Sequence, residues 1–204
     1  GAFQKNVDYR GFTASPLLGE SQGLSVYLDG IRINESFGDT VQWELVPENA
    51  IKQIDLMSSN PAFGLNALGG SLALTTKKGL DYKNTEFVNT TNKYGSFNFT
   101  SELMEYGYGT DTFGTYTSIE FERDGGWRNH SDGEINRFFT NYGLEKDKFD
   151  LNLYFLGGQT DLNGNGVSPI ELLHENWEAV FTWPDKTSNK MSLFYGNSNF
   201  YNEN

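Results

Sequence analysis

From residue 83 onward, apolar and polar side chains alternate in steps of two. Phe149, Leu151, Leu153 and Phe155 interleave with Asp150, Asn152, Tyr154 and Leu156, while Phe113, Thr115, Thr117, Ile119 and Phe121 interleave with Gly114, Tyr116, Ser118 and Glu120. Residues two apart share a face of a strand, so each stretch predicts a strand buried on one side. Seven such strands are predicted, at 85–94, 97–109, 112–123, 134–144, 149–158, 175–183 and 189–199. Most reach the roughly 9–11 residues of a tilted membrane strand, against about 5–6 for an ordinary soluble one.

Ahead of residue 83 the elements are short and mixed. Leu24, Val26 and Leu28 alternate with Ser25 and Tyr27, Asp29-Gly30 is a turn dipeptide, and Ile31-Arg32-Ile33 resumes the alternation. That pattern predicts a hairpin. Pro47 suits the first turn of a short helix, with Glu48 at its positive end and Ala50, Ile51 and Ile54 sharing a face. Ile54-Asp55-Leu56-Met57 then leaves as a strand, and a glycine-rich turn region from Phe63 to Gly70 precedes a further strand, Ser71 to Thr76. The fold class is mixed: a small α/β domain over 1–82, then antiparallel strands over 83–204.

Charge and composition narrow the function classes. The net charge is −12, with no basic cluster longer than Lys77-Lys78, and phosphate neutralisation needs a basic face, so no nucleic-acid partner is expected. Cysteine is absent, which excludes disulfides, thiolate metal sites and cysteine nucleophiles. Without a run of about 18 apolar residues the chain has no membrane-spanning helix, whereas barrel strands alternate and tolerate a mean hydropathy of −0.55. Short polar turns are predicted at Thr110-Asp111, 145–148 and 184–188, and long connections at 124–133 and 159–174. If the strands run up and down, the short turns fall at one end and the long loops at the other, as in outer-membrane barrels.

Catalytic chemistry finds no support. The run Asp161-Leu162-Asn163-Gly164-Asn165-Gly166 imitates the opening of a calcium loop, but the position for the bidentate glutamate is Leu172, one past Glu171, and no calcium site is expected. His174-Glu175 lacks the second histidine of a zinc-protease helix, since residue 178 is Glu. Carboxylates are many but show no acid/base spacing, and Gly69-Gly70 is no phosphate loop. Neither enzyme activity, a cofactor nor a bound metal is expected.

A family resemblance covers nearly the whole chain. Arg10-Gly11-Phe12, then Gly23 to Ile33 with Asp29-Gly30, then Pro47 with Ile51 and Ile54, then Phe63-Gly64-Leu65-Asn66-Ala67-Leu68-Gly69-Gly70, and Thr75-Thr76-Lys77-Lys78-Gly79, together resemble the plug domain of TonB-dependent outer-membrane receptors. The later strands, with Asp124-Gly125-Gly126-Trp127-Arg128 in a long loop, resemble the opening of that family's barrel. Where the family often has Arg-Gly-Pro, this chain reads Ser58-Ser59-Asn60-Pro61, so that arginine's ion pair is not carried over. Seven strands cannot close a barrel of roughly 22, so the resemblance implies part of a longer receptor, with the TonB-contacting segment outside it.

The resemblance also implies a location, partners and a site. The location is the bacterial outer membrane, and the partners are TonB, membrane lipid and a small-molecule or metal-chelate ligand, with a ferric siderophore as the leading class. The ligand would meet Arg10, Asn34, Glu35, Phe37, Asp39, Gln42 and Trp43 at the plug apex, and Trp127, Arg128 and His130 in an outer loop. The alternative at the apex is a solvated turn with Phe37 and Trp43 buried; in the loop it is an aromatic anchor. A second function class, a secreted or surface β-rich carbohydrate-binding protein, would use Trp127, Trp177 and Trp183 as a sugar platform.

Overall fold

A computed structural model describes residues 3–58, 67–183 and 185–201. It divides into two compact units, with the boundary between Lys77 and Lys78. In the first, β1 (Val7–Tyr9) and β2 (Phe12–Ala14) form a hairpin. A four-stranded sheet follows, from β3 (Leu24–Leu28), β4 (Ile31–Arg32), β5 (Ile51–Ser58) and β6 (Gly70–Thr76), in the order β4-β3-β6-β5. Only β3 and β6 are parallel. Leu24, Val26 and Leu28 are buried, and so is Ser25, because the central strand is covered on both faces.

The expected β3–β4 hairpin forms, and its turn shows why Asp-Gly stands there. Asp29 and Gly30 both have positive φ (47° and 88°), the conformation of a tight hairpin turn. The Asp29 carboxylate also accepts hydrogen bonds from the Thr76 N–H at 2.9 Å and hydroxyl at 2.6 Å, tying the turn to the end of β6. The helix expected after Pro47 is a correction. Only a 3-10 turn forms, Glu48–Ala50, and Ile51 is already extended (φ −73°, ψ 126°). Ala50 is fully buried while Ile54 is 61% exposed, so the expected shared face does not exist. A short isolated helix is marginal, whereas the ladder from Ile51 to Ser58 satisfies the same backbone groups against β6. Gly64 and the Ser59-Asn60-Pro61 stretch lie outside the described residues.

The second unit is one antiparallel sheet in sequence order: β7 (Thr85–Tyr94), β8 (Thr100–Gly109), β9 (Phe113–Asp124), β10 (Gly133–Lys146), β11 (Phe149–Gly164) and β12 (Asp185–Phe200). Among the described residues six strands stand where seven are expected. Residues 175–183 form no strand: α1 (Ile170–Glu175) and an irregular segment stand there. β11 runs on to Gly164 and pairs directly with β12 from Gly164↔Asp185 to Phe149↔Phe200. The expected turn at 184–188 is corrected too, since 185–188 begin β12. The connections at 95–99, 125–132 and 165–183 therefore lie at one end of the sheet, and 110–112 and Asp147-Lys148 at the other. Among the described residues no helix is long and apolar enough to cross a membrane.

The two faces differ in chemistry. One carries the row Tyr106, Thr117, Thr140, Phe155 and Phe194. From Met104, Ile119 and Phe138 down to Phe113, Leu144 and Leu151, its positions on β8 to β12 hold no charge. Charge resumes toward the long-loop end, in the pairs Arg123–Glu134 (3.5 Å) and Lys186–Asp161 (3.0 Å). The opposite face carries Arg137, held to Glu120 at 2.6 Å and near Glu122 at 3.8 Å. An uncharged face on long strands is what lipid requires of a barrel wall.

A short segment is locked onto that polar face. The 3-10 turn Gly79–Tyr82 lies on a row formed by Gly109, Gly114 and Gly143. A Cβ on Gly114 would stand 2.3 Å from the carbonyl carbon of Gly79, and one on Gly109 2.6 Å from the Tyr82 carbonyl oxygen. The buried Gly79 N–H donates to Asn141 Oδ1 at 2.7 Å, and the Tyr82 ring stacks on Tyr116 at 5.8 Å. Burial there pushes the Tyr82 hydroxyl above its ordinary pKa, and Asp81 and Glu105 add to the shift.

Two outcomes follow from this packing. Gly114→Val should destabilise the sheet by at least ~1–3 kcal/mol through overpacking, and Asn141→Leu by ~1–3 kcal/mol through the orphaned Gly79 N–H, both read as lower urea midpoints of the receptor in lipid vesicles. In the same assay Phe155→Arg, mid-band on the uncharged face, should cost ~2–4 kcal/mol, and Glu134→Gln, at the charged rim, no more than ~0.5 kcal/mol.

Candidate functional site

The first candidate surface forms where the chain leaves β4. Asn34 turns its side chain inward: Oδ1 accepts from the Val26 N–H at 2.7 Å, and Nδ2 donates to the carbonyls of Leu24 (3.0 Å) and Asp39 (3.2 Å). The loop beyond closes on itself through Glu35 N–H to the Thr40 carbonyl (2.8 Å) and the Thr40 hydroxyl to Glu35 Oε2 (2.9 Å). Gly38 and Asp39 take positive φ, and Asp39 meets Arg32 at 2.6 Å. A cleft of about 670 Å³ results, lined among others by Glu20, Gln22, Arg32, Asn34, Glu35 and Asp39.

The structure thus gathers three of the seven expected apex residues. Phe37 is 77% exposed at the loop tip, which overturns the alternative of a buried Phe37. Trp43 lies in the 3-10 turn Trp43–Leu45, which Gln42 precedes; its Nε1 donates to the Ala14 carbonyl at 2.8 Å, and it lines a separate apolar cleft of about 540 Å³ with Val46, Ile51 and Leu74. Arg10 sits at the tip of the β1–β2 hairpin with its guanidinium 5.0 Å from the Tyr9 ring centroid. Glu20, Gln22 and Arg32 were not anticipated. Arg32 had a signal, standing two residues beyond the Asp29-Gly30 turn, where a hairpin end faces its own loop; Glu20 and Gln22 lie in an aperiodic stretch.

The second surface joins the 125–132 and 165–184 connections. Trp127 stacks on Trp177 (5.5 Å between centroids, 14° between planes), and His130 on Trp183 (4.3 Å, 12°). Arg128 pins the two loops together: Nη2 donates to Ser168 Oγ at 2.6 Å and to the Ala179 carbonyl at 2.8 Å, with the guanidinium 5.5 Å from the Trp127 centroid. The Asn129 N–H adds a bond to the Glu178 carbonyl at 3.0 Å. The three expected loop residues are therefore together, and they recruit Trp177 and Trp183, which the expected strand at 175–183 had assigned to a sheet. Among the described residues no group of three or more His, Asp or Glu side chains is placed to hold a metal ion. Asp161, the first residue of the calcium-loop imitation, is a strand residue paired with Lys186.

A plug-sized mixed sheet followed by a wall of long antiparallel strands, uncharged on one face, defines the class: an outer-membrane barrel preceded by a plug. Residues 1–71 match the TonB-dependent Receptor Plug Domain family. Over those residues the chain carries the plug domain of the TonB-dependent receptors, a family that sits in the bacterial outer membrane. Its fold is similar to that of the ferric citrate transporter FecA in its unliganded form (TM-score 0.71, 14% identity, 98% of this chain and 33% of that one). It is also similar to the siderophore receptor PiuA from Acinetobacter baumannii (TM-score 0.59, 17% identity, 79% and 21%) and to the copper transporter OprC (TM-score 0.61, 11% identity, 80% and 27%). The chain thus spans between about a fifth and a third of the length of these structures. No curated protein sequence matches it.

Asn34 and Phe37 should separate cleanly by experiment. Asn34→Ala removes the acceptor of the Val26 N–H, and amide exchange at Val26 should accelerate about tenfold or more, while Phe37→Ala should leave it unchanged.

Proposed function

We propose that this chain provides the plug, residues 1–82, and the first barrel strands, residues 83–204, of a transporter that takes up a scarce ligand across the outer membrane with energy delivered through TonB. The leading ligand class is a ferric siderophore or a similar metal complex. The observation that carries this reading is the plug match over residues 1–71, continued by six antiparallel strands with an uncharged face. Receptors of this family are transporters and not enzymes. The similarity to siderophore, ferric citrate and copper receptors supports a metal complex and leaves its identity to experiment.

Within that reading the ligand meets two surfaces. The plug cleft, its loop held by Asn34, offers Glu35 and Asp39, with Phe37 at its loop tip and Arg10 on the neighbouring hairpin in sequence; the loop pair, held in place by Arg128, offers Trp127 and His130. Gln42 and Trp43 support the plug loops, since Trp43 spends its indole N–H on the Ala14 carbonyl. Deletion of the gene should abolish TonB-dependent accumulation of at least one labelled complex in a panel of ferric siderophores, ferric citrate and copper, with full recovery on re-expression. Unchanged uptake of every complex in the deletion strain would overturn the proposal.

A further inference from the structure

The loop pair carries an exposed apolar face with a one-sided charge. Val167, Ile170, Trp177, Phe181 and Trp183 are all more than half exposed, Val167 at 93%. Several large apolar side chains left exposed on one connection mark a candidate interaction site. Residues 165–183 contain no Lys or Arg but three glutamates, Glu171, Glu175 and Glu178, the first two exposed. Two basic side chains nearby in sequence or contact, Arg128 and Lys186, are committed elsewhere. Arg128 is bound to Ser168 and the Ala179 carbonyl, and Lys186 to Asp161. In the plug cleft, likewise, Arg32 is bound to Asp39, and Glu20 and Glu35 remain on the lining.

These charges decide what the face can hold. An anion brought onto it meets carboxylates with no uncommitted cation from its own loop, whereas a cation is drawn both by the carboxylates and by the negative faces of the indoles. The rings are already stacked and the loops already pinned, so little ordering is left for the moment of binding. We propose that this face takes a cationic, ring-bearing ligand, or the ring-bearing cationic part of one, with its rings against Trp177 and Trp183 and its charge against Glu171, Glu175 and Glu178. Arg128 is a positioning residue that holds the two loops in register. This proposal rests on the transport reading and names the ligand chemistry of that site.

The test uses the receptor purified from its native outer membrane and two bicyclic ions of similar size and opposite charge, N-methylquinolinium and 2-naphthalenesulfonate, titrated by calorimetry at low salt. The expected result is saturable binding of the cation, at least tenfold tighter than the sulfonate. Binding should be lost in the Trp177→Ala, Trp183→Ala double variant and weakened several-fold when the three glutamates become Gln. Arg128→Gln separates position from charge: removing a positive charge alone would strengthen cation binding, whereas loss of the pin weakens it. Unchanged heat-modifiable gel mobility shows that each variant retains its barrel. Equal or tighter binding of the sulfonate, binding of neither ion, or indifference to the tryptophan changes would each overturn the proposal. Metal-complex uptake without cation binding overturns this inference and keeps the transport reading; cation binding without uptake does the reverse.

Discussion

Backbone lies against backbone where Gly79 meets Gly114, and the second unit is arranged around that contact. Only residues without a Cβ allow it, because a side-chain carbon at either position would stand little more than 2 Å from a main-chain atom of the other. The approach brings the Gly79 N–H within reach of Asn141 and sets Tyr82 flat on Tyr116. From Tyr116 the aromatic contacts continue across the sheet, to Phe139 at 6.1 Å, on to Tyr154 at 6.5 Å, and to Tyr195 stacked at 4.6 Å. A turn of four residues is thereby connected through one row of rings to β12. Each ring pair contributes roughly 0.5–1.5 kcal/mol beyond its burial, so the row rivals a small core in weight.

The same polar face also holds a buried charge, matched from the neighbouring strand. Arg137 stands among β9, β10 and β11, where an unpaired guanidinium would be costly, and Glu120 and Glu122 surround it from the neighbouring strand. Such a triad is weak evidence of stability, since desolvation offsets much of the attraction. Its effect is on register: a one-residue slip of β10 would carry Arg137 to the uncharged face and leave both glutamates behind. The same slip would take Asn141 away from Gly79. Sheet register and the docking of the 3-10 turn are therefore one constraint expressed twice.

Most of this architecture was legible because strand periodicity survives whatever packs against it. The strand at 85–94 is legible to the residue, and the Asp29-Gly30 turn from its dipeptide set between two alternating runs. Two misreadings share a physical origin. After Pro47, local preference favoured a helix, yet Ile51 and Ile54 serve a ladder to β6 that no local window contains. In 175–183, spacing by two predicts a strand, but Trp177 and Trp183 each stack on a ring of the other loop, a partnership outside any local window. At the plug apex, residue types showed which side chains could meet a ligand; they could not show that Asn34 and Trp43 would turn theirs to the backbone, since those bonds reach Leu24, Val26 and Ala14.

Those inward bonds divide the candidate residues into builders and presenters. Asn34, Trp43 and Arg128 spend their donors and acceptors on carbonyls, amides and a hydroxyl of their own unit, and so fix loops whose free ends would otherwise lose conformational entropy on binding. Phe37, Trp127, Trp177 and Trp183 keep large exposed faces on the loops so fixed. Paired side chains offer a ligand little ionic purchase, because it would first have to break Arg32 from Asp39 or Arg128 from Ser168 and the Ala179 carbonyl. On the proposed reading, recognition rests on ring faces and shape, with Glu171, Glu175 and Glu178 supplying the sign.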